Sequence, residues 1–554
     1  MSSIRVMPLG GMGNVTQNMF LYQVDQQILI VDCGIGFPDH HMPGADLLIP
    51  DISYLHQLLE QGNTIAGMVL SHGHEDHIGA LGYILPELPE FPIFAVPFTA
   101  AFAQKRLEDK GARGSVTPVH DETHLQISPT FSVEFVQVTH SVPETRHLII
   151  RTPAGTIYHG SDFKLDPHPV DGKVSQLDRI GQLASEGIDL MTIDCLRVES
   201  ADWTKSESTV GPSIETTMRE TKGKYIITLM SSHIHRIQQT IDAADKCGRK
   251  ITFVGRSVEQ NMEIALSLGE AHIPKGMQID KRDIQNTADD KLCVVIAGSQ
   301  GQEGSSLVRA VFGEHPVIQI AEHDTVVFSA SAIPGNELPY YAAIDELCKN
   351  GVHVVYPDIL KTLHQSGHAS TPEQQELLGL VKPTYVMPIG GADRHRVKFL
   401  EFVAEPLGYT KDAVLLPNSG EVLELSASGP KVVESVHLKP RIVDGLGIGD
   451  VGPVVLSDRK ALSEAGIIVV VVPRVKGQFR PKDIRVISKG FVFMKEADDV
   501  IEFITSTTAE LLTTFKKKTS DEKLRRSIEH TLSRKLFKII RREPLVVMVI
   551  ADTA

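Results

Sequence analysis

Residues 71–80, with the sequence SHGHEDHIGA, combine residue types and spacing that suit metal chemistry. Four side chains that bind metals fall within six positions, namely His72, His74, Asp76 and His77. Imidazoles with a carboxylate and no thiolate are typical of a catalytic zinc ion and not of a closed structural one. The HxHxDH spacing therefore predicts a catalytic metal centre, since isolated surface histidines would not cluster in this way.

The neighbouring residues indicate how the chain positions this cluster. The apolar run 67–70 predicts a buried strand, and residues 78–81 predict the start of a helix. The cluster would then lie on a turn at the carboxyl end of a strand, where ligands converge in a cleft. In an extended turn, every second side chain points in the same direction, so His72 and His74 should face one point. Asp76 and His77 follow around the turn and should face a second point nearby.

Further metal-ligand residues follow other predicted strands. Asp32 follows the apolar run 28–31, His140 follows 135–139, and Asp162 follows 157–161. Because the ends of neighbouring strands meet at one edge of a sheet, these residues are candidates to complete the centre.

Length and composition limit the classes of protein to which the chain can belong. At 554 residues the chain predicts two to four domains, and 42% hydrophobic with 22% charged residues is typical of a globular protein. A strand-like start at residues 4–7 predicts no signal peptide, and no apolar stretch approaches the roughly 20 residues that span a bilayer. Five cysteines without a CxxC pair indicate a reducing cytoplasm. The net charge of −14 does not favour a nucleic-acid partner, but it says nothing about where the charges lie.

The pattern of predicted elements divides the chain into segments. Residues 1–205 alternate short β-rich runs with glycine and proline, and 206–362 alternate strands with helices, which predicts a parallel, doubly wound α/β domain inserted into the first. Residues 363–430 return to the first domain, the glycine-rich stretch within 431–450 predicts a linker, and 451–554 predict a small α+β domain.

Five longer motifs give this pattern a family resemblance. They are DCG at 32–34, PGADLLIPDISY at 43–54, GSQG at 298–301, FSASAIPGNE at 328–337 and SGHA at 366–369. The chain resembles ribonuclease J, a branch of the β-CASP nucleases in the metallo-β-lactamase superfamily, along essentially its whole length. The resemblance implies an α/β protein, in which a metallo-β-lactamase αββα sandwich carries an inserted doubly wound β-CASP domain and a small α+β C-terminal domain.

The resemblance also assigns roles at the metal centre. It implies two Zn²⁺ ions per subunit, replaceable by Mn²⁺ or Mg²⁺. One ion would be held by His72, His74 and His140, and the second by Asp76, His77 and Asp162, with Asp162 bridging the two. Asp32 would orient a ligand through a hydrogen bond. The implied catalytic residues are Asp76, Asp194 and His368; His368, oriented by Asp194, would protonate the departing 3′-oxygen. Cys195, Leu196 and Arg197 replace the small hydroxyl residues that usually follow this aspartate.

One ligand position departs from the family pattern. The family has a histidine in a Pro-Ile/Val-His-Gly turn, whereas residues 388–391 are Pro-Ile-Gly-Gly, with Gly390 at the ligand position. His395 is a candidate replacement, although the segment 393–396 is typical of a helix start. Three protein ligands suffice for a catalytic zinc ion, so we expect a weaker second site and not an empty one. A site that has lost its activity is the alternative.

Further residues are candidates for binding RNA or its 5′-monophosphate. Residues 231–236 follow a predicted strand and begin a helix, whose N-terminus favours an anion. The candidates that the resemblance implies are Ser232, His235, Arg236, Ser331, Ser366, Gly367, Ala369 and Ser370. The resemblance implies single-stranded RNA as the partner, preferably 5′-monophosphorylated, and a homodimer or homotetramer.

Three functional hypotheses follow from these observations. The favoured one is a zinc-dependent ribonuclease with 5′→3′ exonuclease and endonuclease activity in RNA maturation and decay. A small-molecule hydrolase of the metallo-β-lactamase type would share residues 72–77 but would not need the inserted domain. A non-enzymatic RNA-binding protein is the third hypothesis, and only Gly390 points to it.

Overall fold

The structure is a computed structural model. It describes residues 3–39, 42–120, 124–333, 335–439, 441–445, 447–449, 451–491, 498–514 and 520–553. Pro334 of the FSASAIPGNE motif and Pro440, Leu446 and Asp450 of the expected linker lie outside these residues. The chain divides into two compact units, one of residues 1–37 and 48–441 and one of residues 38–47 and 442–554.

Two sheets form the centre of the first unit. In spatial order the first has the strands Gly429–Ser435, Glu421–Ser426, Ile4–Pro8, Phe20–Val24, Gln27–Val31, Thr64–Val69, Ile93–Ala95 and Val116–Pro118. The second has the strands Tyr385–Ile389, Leu190–Asp194, Gly155–His159, Arg146–Thr152, Ser132–Gln137 and His124–Gln126. Short strands lie at Met12–Gly13, Leu47–Ile49 and Gly391–Ala392.

Both faces of the second sheet are buried, because successive residues of its strands pack in two different cores. Leu148 and Ile150 pack in a core with Phe20 and Leu29 of the first sheet. Ile149 points the other way and packs in a second core with Leu377 and other helical residues. The layers are therefore helix, sheet, sheet and helix, as the resemblance implies. The helices of this sandwich are Ser53–Glu60, Glu75–Ile78, Leu81–Ile84, Pro97–Lys110, Leu177–Ala184, Thr371–Val381 and Asp393–Phe399.

A separate parallel sheet forms between residues 225 and 355. Its strands, in spatial order, are Lys250–Val254, Leu292–Ile296, Tyr225–Thr228, Thr325–Phe328 and His353–Val355, and every paired neighbour is parallel. The helices Gly211–Glu220, Ile234–Lys246, Arg256–Leu268, Ser306–Val311 and Glu337–Lys349 alternate with these strands. This is the doubly wound α/β arrangement that the strand–helix alternation predicts.

The second unit has a core of its own. The strand Ile467–Val475 pairs with Gln478–Phe479, Arg485–Lys489 and Leu545–Thr553, and the helices are Pro453–Ala465, Asp498–Thr514 and Asp521–Ile540. Val470 and Met548 of this sheet pack against Ile528 and Leu532 of the last helix. The glycine-rich stretch expected as a linker contains strands among its described residues. Gly429–Ser435 continues the first sheet, and Arg441–Asp444 pairs with Gly447–Ile448.

Among the described residues, no helix has both the length and the apolar character needed to cross a membrane.

Candidate metal centre

Strand direction brings the predicted ligands together. In the second sheet, the strands that precede His140, Asp162 and Gly390 all run in the same direction. The first two are both antiparallel to the strand Arg146–Thr152 between them, and the remaining pairs are parallel. In the first sheet, the strand before Asp32 is parallel to the strand before the HxHxDH turn. Each of these segments therefore leaves the carboxyl end of its strand at a shared edge, where loops meet.

The first group of donor atoms comes from three of these segments. One donor atom each from His72, His74, His140 and Asp162 lie within 4.8 Å of one another. The Nε2 atoms of His72 and His140 are each 3.7 Å from Asp162 Oδ2. His140 Nε2 is also 3.1 Å from His74 Nδ1. The tight convergence of three imidazoles on one carboxylate suits a divalent cation.

The second group adjoins the first through the same carboxylate. Donor atoms of Asp76, His77 and Asp162 also lie within 4.8 Å of one another. His77 Nε2 is 3.7 Å from Asp76 Oδ2 and 3.6 Å from Asp162 Oδ2. Asp162 therefore belongs to both groups, in the position of a bridging ligand.

The protonation of these side chains fits a bound metal. Burial, reinforced by neighbouring histidines, lowers the pKa of His72 and His140 well below the usual value and that of His74 to about 3. Burial also disfavours the charged form of His77, but Asp162 and two further carboxylates raise its pKa. His72 Nε2 is buried without a hydrogen-bond partner among the described residues. His72, His74 and His140 are therefore neutral, which is the form of imidazole that binds metals, so these three residues fit a divalent ion.

Hydrogen bonds behind the ligands fix their orientation. Asp32 Oδ2 accepts a 2.7 Å hydrogen bond from His77 Nδ1, and Asp32 also accepts two 2.7 Å hydrogen bonds from Ser71. His140 Nδ1 donates a 2.7 Å hydrogen bond to the Gly367 carbonyl. A Cβ at position 367 would lie 2.9 Å from His140 Cε1, so glycine is needed for this close approach. Because Nδ1 carries the proton of each of these histidine bonds, Nε2 is the unprotonated nitrogen that faces the centre.

His368 lies at the rim of the centre with its own carboxylate partner. Its Nδ1 donates a 2.7 Å hydrogen bond to Asp194 Oδ2, and its Nε2 is 3.9 Å from Asp162 Oδ2. Burial disfavours the imidazolium, but Asp194 and Asp162 raise the pKa of His368 to about 9. Leu196 N–H donates to the other oxygen of Asp194, which fixes the carboxylate. A protonated imidazole held in this way suits a general acid.

Gly390 and His395 differ in their distance from the centre. Gly390 has φ of +66°, and a Cβ there would lie 3.6 Å from Asp194 Oδ1 and 3.7 Å from Asp162 Oδ1. There is room for a side chain beside the acids, but the left-handed backbone favours glycine. His395 lies in the helix Asp393–Phe399, where its Nδ1 accepts from Ala392 N–H and its Nε2 is 3.6 Å from Glu199. The described residues place His395 in neither donor group.

The structure corrects the expected role of Arg236. Its side chain is fully buried, and its Nε and Nη2 atoms donate to both carboxylate oxygens of Glu207 at 2.7 and 2.6 Å. The remaining N–H groups face the carbonyls of Ser329 and Gln365 and the Nδ1 of His364. With every donor engaged, Arg236 holds chain segments together and does not meet a phosphate.

The structure also contradicts the expected ligand-binding roles of Ser370 and Ala369, because both side chains are fully buried. Ser370 caps the helix Thr371–Val381, and its Oγ donates a 2.7 Å hydrogen bond to Glu373. Ala369 contributes a carbonyl that accepts from Gln374. Neither side chain is available to a ligand.

The remaining candidates stay accessible to differing degrees. Ser366 is half-buried and its Oγ accepts from the His368 N–H at 3.1 Å. Ser331 is exposed and Ser232 is half-buried just before the helix Ile234–Lys246. His235 is buried, with its Nε2 at 3.4 Å from Asp171 Oδ2.

Asn18 is a residue of the centre that the sequence analysis did not identify. Its Nδ2 lies 3.1 Å from His77 Nε2 and donates to the Asp76 carbonyl at 3.2 Å. It comes from a loop far from the HxHxDH turn in sequence, so no local pattern points to it.

The matched variants His74→Ala and His395→Ala test the assignment of ligands. We expect His74→Ala to lower the bound divalent metal by about one ion per chain, because water replaces an imidazole poorly. His395→Ala should keep the metal content of the unmutated protein. Equilibrium dialysis followed by elemental analysis measures both, with circular dichroism to verify folding. A metal ion lost from His395→Ala would identify His395 as the displaced ligand.

Comparison with known proteins agrees with this fold. The family description "Metallo-beta-lactamase superfamily" matches residues 12–165, "Ribonuclease J, beta-CASP domain" matches 222–347, and "Ribonuclease J C-terminal domain" matches 454–553. A crystal structure of a protein of unknown function from Enterococcus faecalis has a TM-score of 0.54 at 15% identity, covering 76% of this chain and 100% of that one. That likeness concerns the fold alone.

Curated relatives match along nearly the whole length. Ribonuclease J of Thermus thermophilus is 34% identical, with 99% of this chain and 95% of the relative covered. Ribonuclease J 1 of Streptococcus pyogenes is 32% identical over 99% of this chain and 98% of the relative. Ribonuclease J2 of Bacillus subtilis is 29% identical over 99% of both. The chain therefore belongs to the ribonuclease J family, within the metallo-β-lactamase superfamily.

Proposed function

We propose that this protein is a zinc-dependent ribonuclease that degrades and matures RNA as a 5′→3′ exonuclease and an endonuclease. The observation that carries the proposal is a pair of donor groups sharing Asp162, with the His368–Asp194 pair beside them. Paired metal sites next to a general acid are the arrangement that phosphodiester hydrolysis requires. The relatives are named ribonucleases, which supports RNA as the substrate.

The residues of this chain have separate tasks in such a reaction. Two divalent ions, when bound, supply a nucleophile at neutral pH and neutralise charge on the attacked phosphate. His72, His74 and His140 would hold one ion, Asp76 and His77 the other, and Asp162 both. His368 would protonate the leaving 3′-oxygen through Nε2, and Asp194 would keep the imidazole charged and correctly turned. Gly390 leaves the second ion with three protein ligands, which supports weaker binding there.

Hydrolysis of a 5′-monophosphorylated RNA, with and without a chelator, tests the proposed function. We expect cleavage that the chelator stops and that added Zn²⁺ or Mn²⁺ restores. His368→Ala should lower the rate by about 10²- to 10⁴-fold, the usual contribution of a general acid. Absence of cleavage in metal-replete buffer, or turnover of a chromogenic ester alone, would contradict the proposal.

Asp194→Asn extends this test to the pH dependence. Asp194 raises the pKa of His368, so removing its charge should lower that pKa and shift the basic limb of the rate profile to lower pH. An unchanged basic limb would show that Asp194 does not set the pKa of His368.

A preference for a 5′-monophosphate belongs to the same proposal. Ser366 and the Gly367 backbone lie at the loop before His368 and offer polar groups suited to a terminal phosphate. Exonuclease decay of 5′-monophosphate RNA should therefore exceed that of 5′-triphosphate RNA, and Ser366→Ala should narrow the difference. Ser370→Ala is the matched control. It removes a helix cap, so we expect about 0.5–2 kcal/mol lower stability and an unchanged preference. Equal decay of the two RNAs by the unmutated protein would contradict the proposed preference for a 5′-monophosphate.

We also propose that the protein self-associates through its C-terminal unit. Ile487, Val469 and Val547 lie opposite one another across three strands, on the sheet face away from the core residue Val470. Ile487 is 53% exposed, and an apolar row of this kind favours an interface. Ile487→Lys should weaken association as strongly as truncation near residue 450, measured by light scattering. A truncated chain that associates as well as the full chain would contradict this proposal.

A further inference from the structure

We propose that a groove beside the His368 loop binds single-stranded RNA next to the cleavage site, with one base stacked on Trp203. The inference rests on the proposed function and adds a binding subsite to it. The groove has a volume of about 370 Å³ and is lined by Trp203, Lys205, Arg197, Lys361, Asp202 and Ser366, among others.

Trp203 has the properties of a stacking platform. Its side chain is 41% exposed, although tryptophan is usually among the most buried residues. The indole Nε1 donates a 3.1 Å hydrogen bond to the Leu165 carbonyl, which fixes one edge of the ring. The next residue, Thr204, is buried, and its N–H donates to Glu373 Oε2 at 3.0 Å. An aromatic face that is exposed but held in place stacks on a base at little entropic cost.

Three cations line the same groove as Trp203, and two of them, Lys205 and Lys361, have no carboxylate partner among the described residues. Lys205 and Lys361 are exposed, and neither they nor Arg197 forms a salt bridge in the described part of the chain. Many other lysines do, such as Lys281 with Glu259 at 2.9 Å. Asp202 brings one negative charge to the lining, so positive charge prevails. Unpaired lysines beside an aromatic face suit a single-stranded nucleic acid, whose phosphates bind without regard to base sequence.

The groove is directly connected to the catalytic loop. The carbonyl of His368 accepts hydrogen bonds from Arg197 Nη1 at 3.3 Å and from Thr204 Oγ1 at 3.1 Å. Arg197 Nη1 also donates to Thr204 Oγ1 at 2.7 Å, which ties the groove wall together. The same residue, His368, turns its imidazole toward Asp162 on the other side. A strand of RNA bound at the metal centre would therefore continue into the groove within a few nucleotides.

The composition of the chain supplies a direct readout, because Trp203 is its only tryptophan. The first experiment titrates the full-length His368→Ala variant, in metal-replete buffer, with a 5′-monophosphorylated 12-nucleotide RNA. We expect saturable quenching of tryptophan fluorescence, since a stacked base quenches the indole. The quenching should follow the same curve as the fluorescence anisotropy of the RNA carrying a 3′-fluorescein label.

Variants in the same background then identify the contacts. Trp203→Leu should weaken RNA binding by about 5- to 100-fold, as expected for one lost base stack, and Trp203→Phe should recover most of the affinity. Lys205→Ala and Lys361→Ala should each reduce the slope of log affinity against log salt by about 0.7, the value for one phosphate contact on a single strand. Both lysines are exposed, so these two variants remain informative if Trp203→Leu does not fold.

Lys222→Ala is the matched control for charge. Lys222 is also exposed, but it precedes the strand Tyr225–Thr228. It therefore lies at the amino end of the parallel sheet, at the edge opposite the metal centre. The RNA affinity of Lys222→Ala and the slope of its log affinity against log salt should equal those of the parent protein.

The outcomes separate the inference from the proposed function. Cleavage of RNA by the unmutated protein, with no change in Trp203 fluorescence and full affinity in Trp203→Leu, would overturn the groove alone. Saturable quenching without cleavage by the unmutated protein would support the groove and overturn the nuclease. RNA that neither binds nor is cleaved would overturn both.

Discussion

The carboxylate of Asp162 is the point on which the rest of the site depends. The Nε2 atoms of His72, His77, His140 and His368 lie between 3.6 and 3.9 Å from its Oδ2. So many imidazoles cannot be charged together in a buried space, and burial lowers the pKa of His72 and His140 accordingly. Divalent cations would bind these neutral nitrogens and the carboxylates at the same time, which resolves the conflict between burial and charge.

This convergence is possible because the ligands occupy loops at the carboxyl ends of strands with a common direction. The loops must then approach very closely, and glycine permits this at two places. A Cβ on Gly367 would lie 2.9 Å from His140, and a Cβ on Gly34 would lie 1.6 Å from the Asp76 carbonyl. The loops supply ligands, whereas the two sheets and their cores supply the rigidity that keeps the ligands in place.

The buried pair of Arg236 and Glu207 illustrates how the same residue type serves structure or ligand binding. Near a helix N-terminus, an arginine is suited to bind phosphate. Here Glu207 neutralises it, and three backbone or imidazole groups use its other donors. Breaking such a pair leaves an unpaired buried charge, which costs several kcal/mol. In the same region Lys205 and Lys361 are exposed and form no salt bridge among the described residues, whereas Arg197 is half-buried and hydrogen-bonded to Thr204 and His368.

The sequence by itself determined the features that depend on local spacing. The HxHxDH turn, the strand-end residues Asp32, His140 and Asp162, and the strand–helix alternation after residue 206 follow from residue types and periodicity within short windows. The tertiary structure decided everything that depends on a distant partner. Glu207 occupies Arg236, Glu373 takes the hydroxyl of Ser370, and His395 faces Glu199 and not the metal centre. The groove at Trp203 exists only because residues near 200 and near 361 meet. Charge pairing and burial are set by neighbours in space, and no local pattern carries that information.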